Sequence, residues 1–262
     1  MILEGKAIVI SGIGPGLGQE LAIVAARQGA RIAISARTPA RLEEVRTAVA
    51  ALGLGTEVLT VPTDIRDRAQ CDRLVSTVAD QFGRIDALIN SGYITGVYAP
   101  AAEADLDDWR NTMDTNLFGT MTMIQAVVPH MVALGGGSIV NVNTKVARMP
   151  QETLGGYAVS KAALRMATTQ LAKELGPSGV RLNSVFPGWM WGETVEAGFR
   201  RIEAAGGPTV AETRADIARR IPLGDIPEDG ECAKAVIAMA SDLFSAVTGA
   251  CLDISGGEYM PL

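Results

Sequence analysis

The stretch Ala7-Ile8-Val9-Ile10-Ser11-Gly12-Ile13-Gly14-Pro15-Gly16-Leu17-Gly18 decides how the rest of the chain is read. The unbroken apolar run Ala7–Ile10 has the pattern of a strand covered on both faces, as in the middle of a parallel sheet. From Leu17 to Gln28, apolar residues at Leu21, Ala22, Val24 and Ala25 mark one face of a helix, and Gly29 closes it. The glycines between therefore sit in a tight strand-to-helix turn, where positive φ is needed and glycine supplies it without steric cost. Such a turn also lets backbone approach a pyrophosphate at a helix N-terminus, whose free N–H groups and dipole favour negative charge. The spacing is G-x-x-x-G-x-G over Gly12, Gly16 and Gly18, with Gly14 between them. No Gly-Lys-Ser/Thr follows, which excludes a nucleoside-triphosphate loop.

Outward from this turn the chain alternates short apolar runs with helical text. Arg31–Ser35, Glu57–Val61, Ala87–Ile89, Ser138–Val142, Val180–Val185 and Cys251–Ile254 read as strands. Thr38-Pro39 opens a helix to about Ala51, and Asp67 with Gln70 forms a capping-box pattern for a helix that stops at Gly83. Asp105–Met131 covers one or two helices, Tyr157–Leu175 another and Glu231–Ser241 a further one. This rhythm predicts an α/β fold: a Rossmann-like, doubly wound parallel β-sheet with helices on both faces, in one domain over 1–262. The one long interruption lies between Val185 and Glu231, and its part at about 189–222 holds Trp189, Met190, Trp191 and Phe199 and then charged helical text. Its place after a strand predicts a lid over a site at the strand ends.

Composition narrows the function classes. The chain has 262 residues, 23 Lys+Arg against 29 Asp+Glu, and a formal charge of −6. That balance argues against a nucleic-acid binder, which needs a basic surface. No apolar run approaches the ~18 residues of a membrane span, and the N-terminus lacks a secretory pattern, so a cytoplasmic protein is expected. Cys71, Cys232 and Cys251 are far apart with no histidine beside them, so no metal site and no disulfide framework is expected. His130 is the only histidine and no G-x-S-x-G occurs, which leaves a serine-hydrolase triad without support.

Two further features carry chemistry. The acidic residue that would hold a ribose 2′-hydroxyl belongs about 20 residues beyond the glycine loop, at the end of the second strand. That place reads Ser35-Ala36-Arg37, a guanidinium and no carboxylate. A guanidinium pairs with a phosphate, so NADP(H) is expected over NAD(H), with NAD(H) still possible. Further on, Tyr157-Ala158-Val159-Ser160-Lys161 places phenol and amine at i and i+4 on one helix face. An ammonium there is expected to lower the phenol's pKa and suit Tyr157 to proton exchange with a carbonyl or alcohol. Thr144, at the C-terminal end of the strand before, can hydrogen-bond the same oxygen.

Taken together these residues resemble the short-chain dehydrogenase/reductase family, over nearly the whole chain. Ser11, Gly12, Gly14, Gly16, Leu17 and Gly18 look like its cofactor loop, Arg37 the residue beside the ribose, Asp64-Ile65 the pair at the adenine, and Asn90-Ser91-Gly92 its Asn-Asn-Ala-Gly segment. Pro187, Gly188 and Met190 look like the segment facing the nicotinamide. Ile221-Pro222-Leu223-Gly224 and Thr248-Gly249 through Gly256-Gly257 match its C-terminal landmarks. Asn116, Thr144, Tyr157 and Lys161 fall on the catalytic Asn-Ser-Tyr-Lys positions. The resemblance implies hydride transfer between a nicotinamide and a carbonyl/alcohol pair, with Tyr157 exchanging the proton. It further implies that Lys161 binds the nicotinamide ribose, that Asn116 holds a relay water, that no metal is needed, and that the chain is a homotetramer.

The chain departs from the family pattern at three places. Thr144 stands for the serine, Tyr93 for the last glycine of Asn-Asn-Ala-Gly, and Gly192 where a threonine usually follows Pro187-Gly188. Trp189, Met190, Trp191 and Tyr93 suggest an apolar, adaptable substrate wall and hence a hydrophobic ketone or secondary alcohol. Two other functions compete. A 3-oxoacyl-carrier-protein reductase would use Arg200-Arg201 or Arg219-Arg220 to dock an acidic carrier. A catalytically inactive dinucleotide sensor would account for the Thr144 and Tyr93 departures.

Overall fold

A computed structural model of the chain describes residues 1–261. Seven parallel strands form one sheet: β1 (Ala7–Ser11), β2 (Arg31–Ser35), β3 (Val58–Thr60), β4 (Ala87–Asn90), β5 (Gly137–Val142), β6 (Val180–Pro187) and β7 (Cys251–Ile254). Their order is β3-β2-β1-β4-β5-β6-β7. The chain winds outward one way from β1 to β3 and then returns beside β1 with β4. That reversal leaves a crevice at the strands' C-terminal ends, where open α/β sheets bind ligands.

Both faces are covered, which is why β1 and β4 are buried at every residue. On one face α1 (Leu17–Arg27), α2 (Pro39–Ala50) and α9 (Asp229–Ala240) pack Leu21, Val45 and Val236 against Ile8, Ile32 and Ile89. On the other, α3 (Arg68–Phe82) and α5 (Thr120–Ala133) pack Leu74 and Val127 against Val9, Leu88 and Ile139. The strands carry β-branched residues to both sides because both sides are core.

The helices start close to where their signals stand. Pro39 opens α2 after Thr38, and α6 spans Gly155–Leu175, two residues ahead of the expected Tyr157. Asp67 caps α3 by accepting from the N–H groups of Ala69 and Gln70 at 2.9 and 3.2 Å. The reciprocal half of the capping box is absent, because Gln70 Oε1 accepts instead from the Asp64 N–H at 2.9 Å. The expected one or two helices over Asp105–Met131 are α4 (Leu106–Met113) and α5, joined without a break by a π-helical turn, Asp114–Gly119.

Beyond β6 the excursion folds into α7 (Glu193–Ala204) and α8 (Val210–Ala218). Thr209 and Glu212 form a complete capping box at the start of α8. Phe199, Ile217, Ile221 and Ile226 make a small core of their own, apart from the two that flank the sheet.

The parallel registers line up a row of polar residues near the C-terminal ends. Ser35 pairs with Ser11, Ser11 with Asn90, Asn90 with Asn141 and Asn141 with Ser184. All five are buried. Below this row the buried residues of β1, β2 and β4 are apolar, so on these strands the polar chemistry gathers at the C-terminal end.

Candidate active site

The glycine loop is built by a close approach. Gly12 has φ 94° and a Cβ on it would fall 2.0 Å from the Gly92 nitrogen, so only glycine lets the β1 and β4 ends meet here. Gly12 and Ile13 donate their N–H groups to the Ser35 carbonyl at 2.9 and 3.0 Å, and Ser91 donates to the Ser11 carbonyl at 2.7 Å. The α1 N-terminus, at Gly16-Leu17, has no side-chain cap, so its first N–H groups face the groove unpaired by any side chain.

The groove has two halves that share Gly12, Gly14, Pro15, Ser91 and Tyr93. One, a cavity of about 440 Å³, is lined by Ser11, Ser35, Arg37, Arg41, Asp64, Ile65, Ser91 and Gly92. The other, about 280 Å³, is lined by Gly16, Leu17, Gly18, Thr144, Tyr157, Lys161, Pro187, Gly188, Trp189 and Met190. The structure thus brings nearly all of the expected residues to one continuous surface. A cavity of about 520 Å³ at the opposite ends of the strands contains none of them, and its Lys6, Arg84 and Asp86 pair with one another.

Asn90 and Asn116 stand just behind that surface. Asn90 is buried, with its Nδ2 donating to Asn141 Oδ1 at 2.9 Å, and Asn141 donates in turn to Thr168 Oγ1 at 3.0 Å. Asn116 lies in the π-helical turn, the kind of local irregularity that marks functional sites. Its Oδ1 accepts from the Ile94 N–H, and its Nδ2 donates to the Ile94 carbonyl and to Ser160 Oγ, all at 2.9 Å. Both amide hydrogens are therefore spent on anchoring the loop after β4 to α6.

Tyr157 and Lys161 occupy successive turns of α6 facing the β5 end. Tyr157 and Thr144 line the same cavity, which brings the phenol and the β5-end hydroxyl to one site as expected. Lys161 is 2 % exposed, and its Nζ donates to the Val142 carbonyl at 2.8 Å. Burial lowers the Lys161 amine to about 7 and pushes the Tyr157 phenol up, with only the neighbouring Thr144 hydroxyl opposing. The expected lowering of the phenol by Lys161 is absent from the influences on Tyr157, which burial dominates. Desolvation wins at both groups because the amine is turned to a strand carbonyl inside the fold. A neutral phenol is a proton donor, the state that carbonyl reduction needs.

The departures from the family pattern have visible consequences. The Tyr93 ring stands 5.8 Å from the Tyr157 ring and 5.9 Å from Lys161 Nζ, so it roofs the reacting edge while Gly92 keeps the approach to Gly12. Trp189 lines the cavity and packs on Phe199 at 5.8 Å. Trp191 does not line it. Its ring lies between Phe199 at 5.9 Å and the Arg214 guanidinium at 4.1 Å, and it helps to close the separate core of the excursion. The sequence offered both tryptophans as substrate residues, and the structure separates them because the chain turns between them to bridge Glu228.

Other residues of the site escaped the sequence reading. Lys145, next to Thr144, is buried in an ion pair with Glu258 and lies 5.7 Å from the Trp189 ring. Asn143 is 2 % exposed with neither Nδ2 nor Oδ1 partnered. The Ser35 hydroxyl and Asn90 Oδ1 are likewise buried without partners. These orphaned groups stand at or just beyond the C-terminal ends of β2, β4 and β5, where their unpaired atoms are available to a polar ligand. A reading of every polar residue at a strand's end would have added Ser35 and Asn143 to Asn90, which the sequence already named.

A family model described as enoyl-(acyl carrier protein) reductase matches residues 12–258. The chain belongs to the short-chain dehydrogenase/reductase family. An uncharacterized short-chain type dehydrogenase/reductase of Sinorhizobium fredii is 32% identical, covering 98% of each chain. A 3-oxoacyl-[acyl-carrier-protein] reductase of Thermotoga maritima is also 32% identical, over 98% of this chain and 99% of its own. Among solved structures, levodione reductase superposes with a TM-score of 0.90 at 27% identity, covering 98% of both chains. The protein is thus a short-chain dehydrogenase/reductase, an oxidoreductase acting on the CH–OH/C=O pair with a nicotinamide dinucleotide. No helix among its described residues is long and apolar enough to cross a membrane.

Proposed function

We propose that the protein is an NADP(H)-preferring reductase of a hydrophobic ketone, or in reverse a dehydrogenase of the matching secondary alcohol. The observation that carries this is the meeting of Thr144, Tyr157 and Lys161 in one cavity with the glycine loop, beside unpartnered strand-end polar groups. The groove fits a dinucleotide. Gly14 stands open, with nothing within 4 Å of the place of its Cβ, so the loop backbone can approach phosphates; Ser35 offers an unpaired hydroxyl, and α1 presents its N-terminus.

When bound, the dinucleotide supplies or accepts the hydride. The rest falls to this chain. Thr144 and Tyr157 hold the substrate oxygen between two hydroxyls, and the Tyr157 phenol gives it a proton in reduction. Lys161, already oriented by Val142, holds the ribose, and Asn116 fixes α6 against the loop after β4. Tyr93, Met190 and Trp189 form the apolar wall that excludes water and selects the substrate. Arg37 has no ion-pair partner among the described residues and lines the adenine half beside Arg41, which supports the preference for a 2′-phosphate. Asp64 is held by Arg66 at 2.6 Å, and a carboxylate so paired keeps acceptor sites for an adenine. The chain acts as one catalytic unit, 189–222 serves as the substrate lid, and the working protein is a cytoplasmic homotetramer that binds no nucleic acid.

A second reading, a 3-oxoacyl-carrier-protein reductase, has specific support in the Thermotoga maritima relative. The candidate docking arginines weaken it, since Arg200 and Arg219 are already paired with Glu196 and Asp216. Oxidation of NADPH and NADH against a panel of ketones, with a carrier-linked 3-oxoacyl substrate included, tests both. Tyr157→Phe is expected to lose turnover by about 10²–10⁴-fold while still binding the dinucleotide. A variant as active as the parent, or a parent inert toward every carbonyl, overturns the proposal.

A further inference from the structure

The base of the lid carries a carboxylate into the cofactor groove for which the reaction has no use. Asp229, the first residue of α9, is 9 % exposed and lines the same cavity as Gly16, Leu17 and Thr194. Its backbone is fixed, with the N–H donating to the Trp191 carbonyl at 2.9 Å. Its carboxylate has neither a hydrogen bond nor an ion pair among the described residues. Two glycines leave the space it fills. A Cβ on Gly192 would lie 1.8 Å from Oδ2, and one on Gly16 would lie 2.7 Å from it. Gly16 is the residue from which α1 starts, so the carboxyl sits against the helix end that faces the groove.

A helix N-terminus favours one negative group, and here two compete for it: the resident carboxylate and the diphosphate of an arriving dinucleotide. The groups around Asp229 do not relieve the competition. Glu20, on α1, approaches the same turn, with Oε2 3.2 Å from the place of a Cβ on Gly230. Glu228 precedes it and is engaged by Arg214 of α8 at 3.5 Å. Cys232 follows on α9, and Tyr93 faces it from the loop after β4. We propose that Asp229 couples dinucleotide binding to proton uptake, so that the groove takes the anionic diphosphate best when this carboxyl is neutral. This rests on the groove being a dinucleotide site, as proposed above.

The protonation step is simple: the carboxylate gains one proton from solvent and becomes a carboxylic acid as the diphosphate enters. Burial, then Glu20 and Glu228, raise the Asp229 carboxyl to about 6, so at neutral pH most of it is ionised before binding. By linkage, affinity falls as pH rises through that value, at most about tenfold per pH unit.

Calorimetric titration of the full-length protein with NADP⁺, from about pH 5.5 to 8 in two buffers of different ionisation enthalpy, gives both Kd and the protons taken up. The same titration of Asp229→Asn removes the carboxyl and keeps its shape, and the titration of the cofactor's own 2′-phosphate is common to both proteins. The expected result is a Kd that weakens with pH more steeply in the parent, and a variant that binds more tightly than the parent near pH 8. The parent is also expected to take up more protons than the variant, by up to one. Parallel pH profiles and equal proton counts overturn the proposal. If the variant does not fold, titration of the parent with NAD⁺, which has no 2′-phosphate, decides by whether protons are taken up at all. Absence of binding by either dinucleotide at every pH would instead refute the groove itself as a cofactor site, and the proposal would fall with it.

Discussion

Replacing Lys161 by methionine is expected to stabilise the cofactor-free protein at neutral pH while removing its activity. Lys161 is among the largest side chains buried completely in the molecule, and its amine has one protein partner, the Val142 carbonyl. Its pKa falls from 10.5 to about 7 on folding, so between those values the unfolded chain binds the proton that the folded chain rejects. The stability of the parent protein therefore rises with pH across that window, by about 1.4 kcal/mol per unit. At and below pH 7 the penalty is full, about 5 kcal/mol, and it vanishes near the unfolded value. Methionine fills a similar volume without charge but leaves the Val142 carbonyl unpaired, which costs about 1–3 kcal/mol at every pH. The variant should exceed the parent by about 2–4 kcal/mol near pH 7, which is on the order of 10 °C in Tm for a chain of this length. The order should invert between about pH 8 and 10, where the lysine penalty drops below the cost of the orphaned carbonyl. Urea and thermal denaturation of both proteins across this range measure the difference, with ketone reduction followed in parallel. A difference that stays flat with pH, or a variant less stable than the parent at neutrality, would refute the reasoning.

Two other substitutions probe the two halves of the groove. Arg37→Ala is expected to weaken NADPH by about 10–100-fold through loss of a charge-assisted hydrogen bond, with NADH affinity nearly unchanged, as read by fluorescence titration of both cofactors. Gly12→Ala places a methyl 2.0 Å from the Gly92 nitrogen at a φ of 94°, with backbone on both sides. It should abolish dinucleotide binding and lower Tm by several degrees, corresponding to about 1–3 kcal/mol of strain, and a variant that still binds would show that the close approach is not needed.

The sheet was legible because its strands are covered on both sides. Ala7–Ile10 and Ala87–Ile89 are apolar at every residue, and a parallel sheet is the architecture that buries such runs. The glycine loop and the Tyr157/Lys161 pair were legible because each depends on local spacing, a tight turn in one case and one helical turn in the other. What was not legible depends on distant segments. The charge state of Lys161 is set by its depth beneath β5, which i, i+4 spacing does not reveal. The roles of Trp189 and Trp191 split because the chain between them bends toward Glu228. Asp229 has no motif, since its meaning comes from two glycines far away in the chain that leave it space. The Asp67–Gln70 pair failed as a capping box for a similar reason, because the Asp64 N–H claimed the Gln70 side chain first.

The excursion after β6 keeps its greasy contacts largely to itself, with Phe199, Ile217, Ile221 and Ile226 packed on one another rather than into the sheet's two cores. Such an insert is close to an exchangeable cassette. Its residues can be rewritten for a wider or narrower substrate, and the foundation on which hydride chemistry depends keeps its packing. Laboratory recombination among homologues is therefore best cut at Gly188 and Glu228, where the chain leaves β6 and where it enters α9.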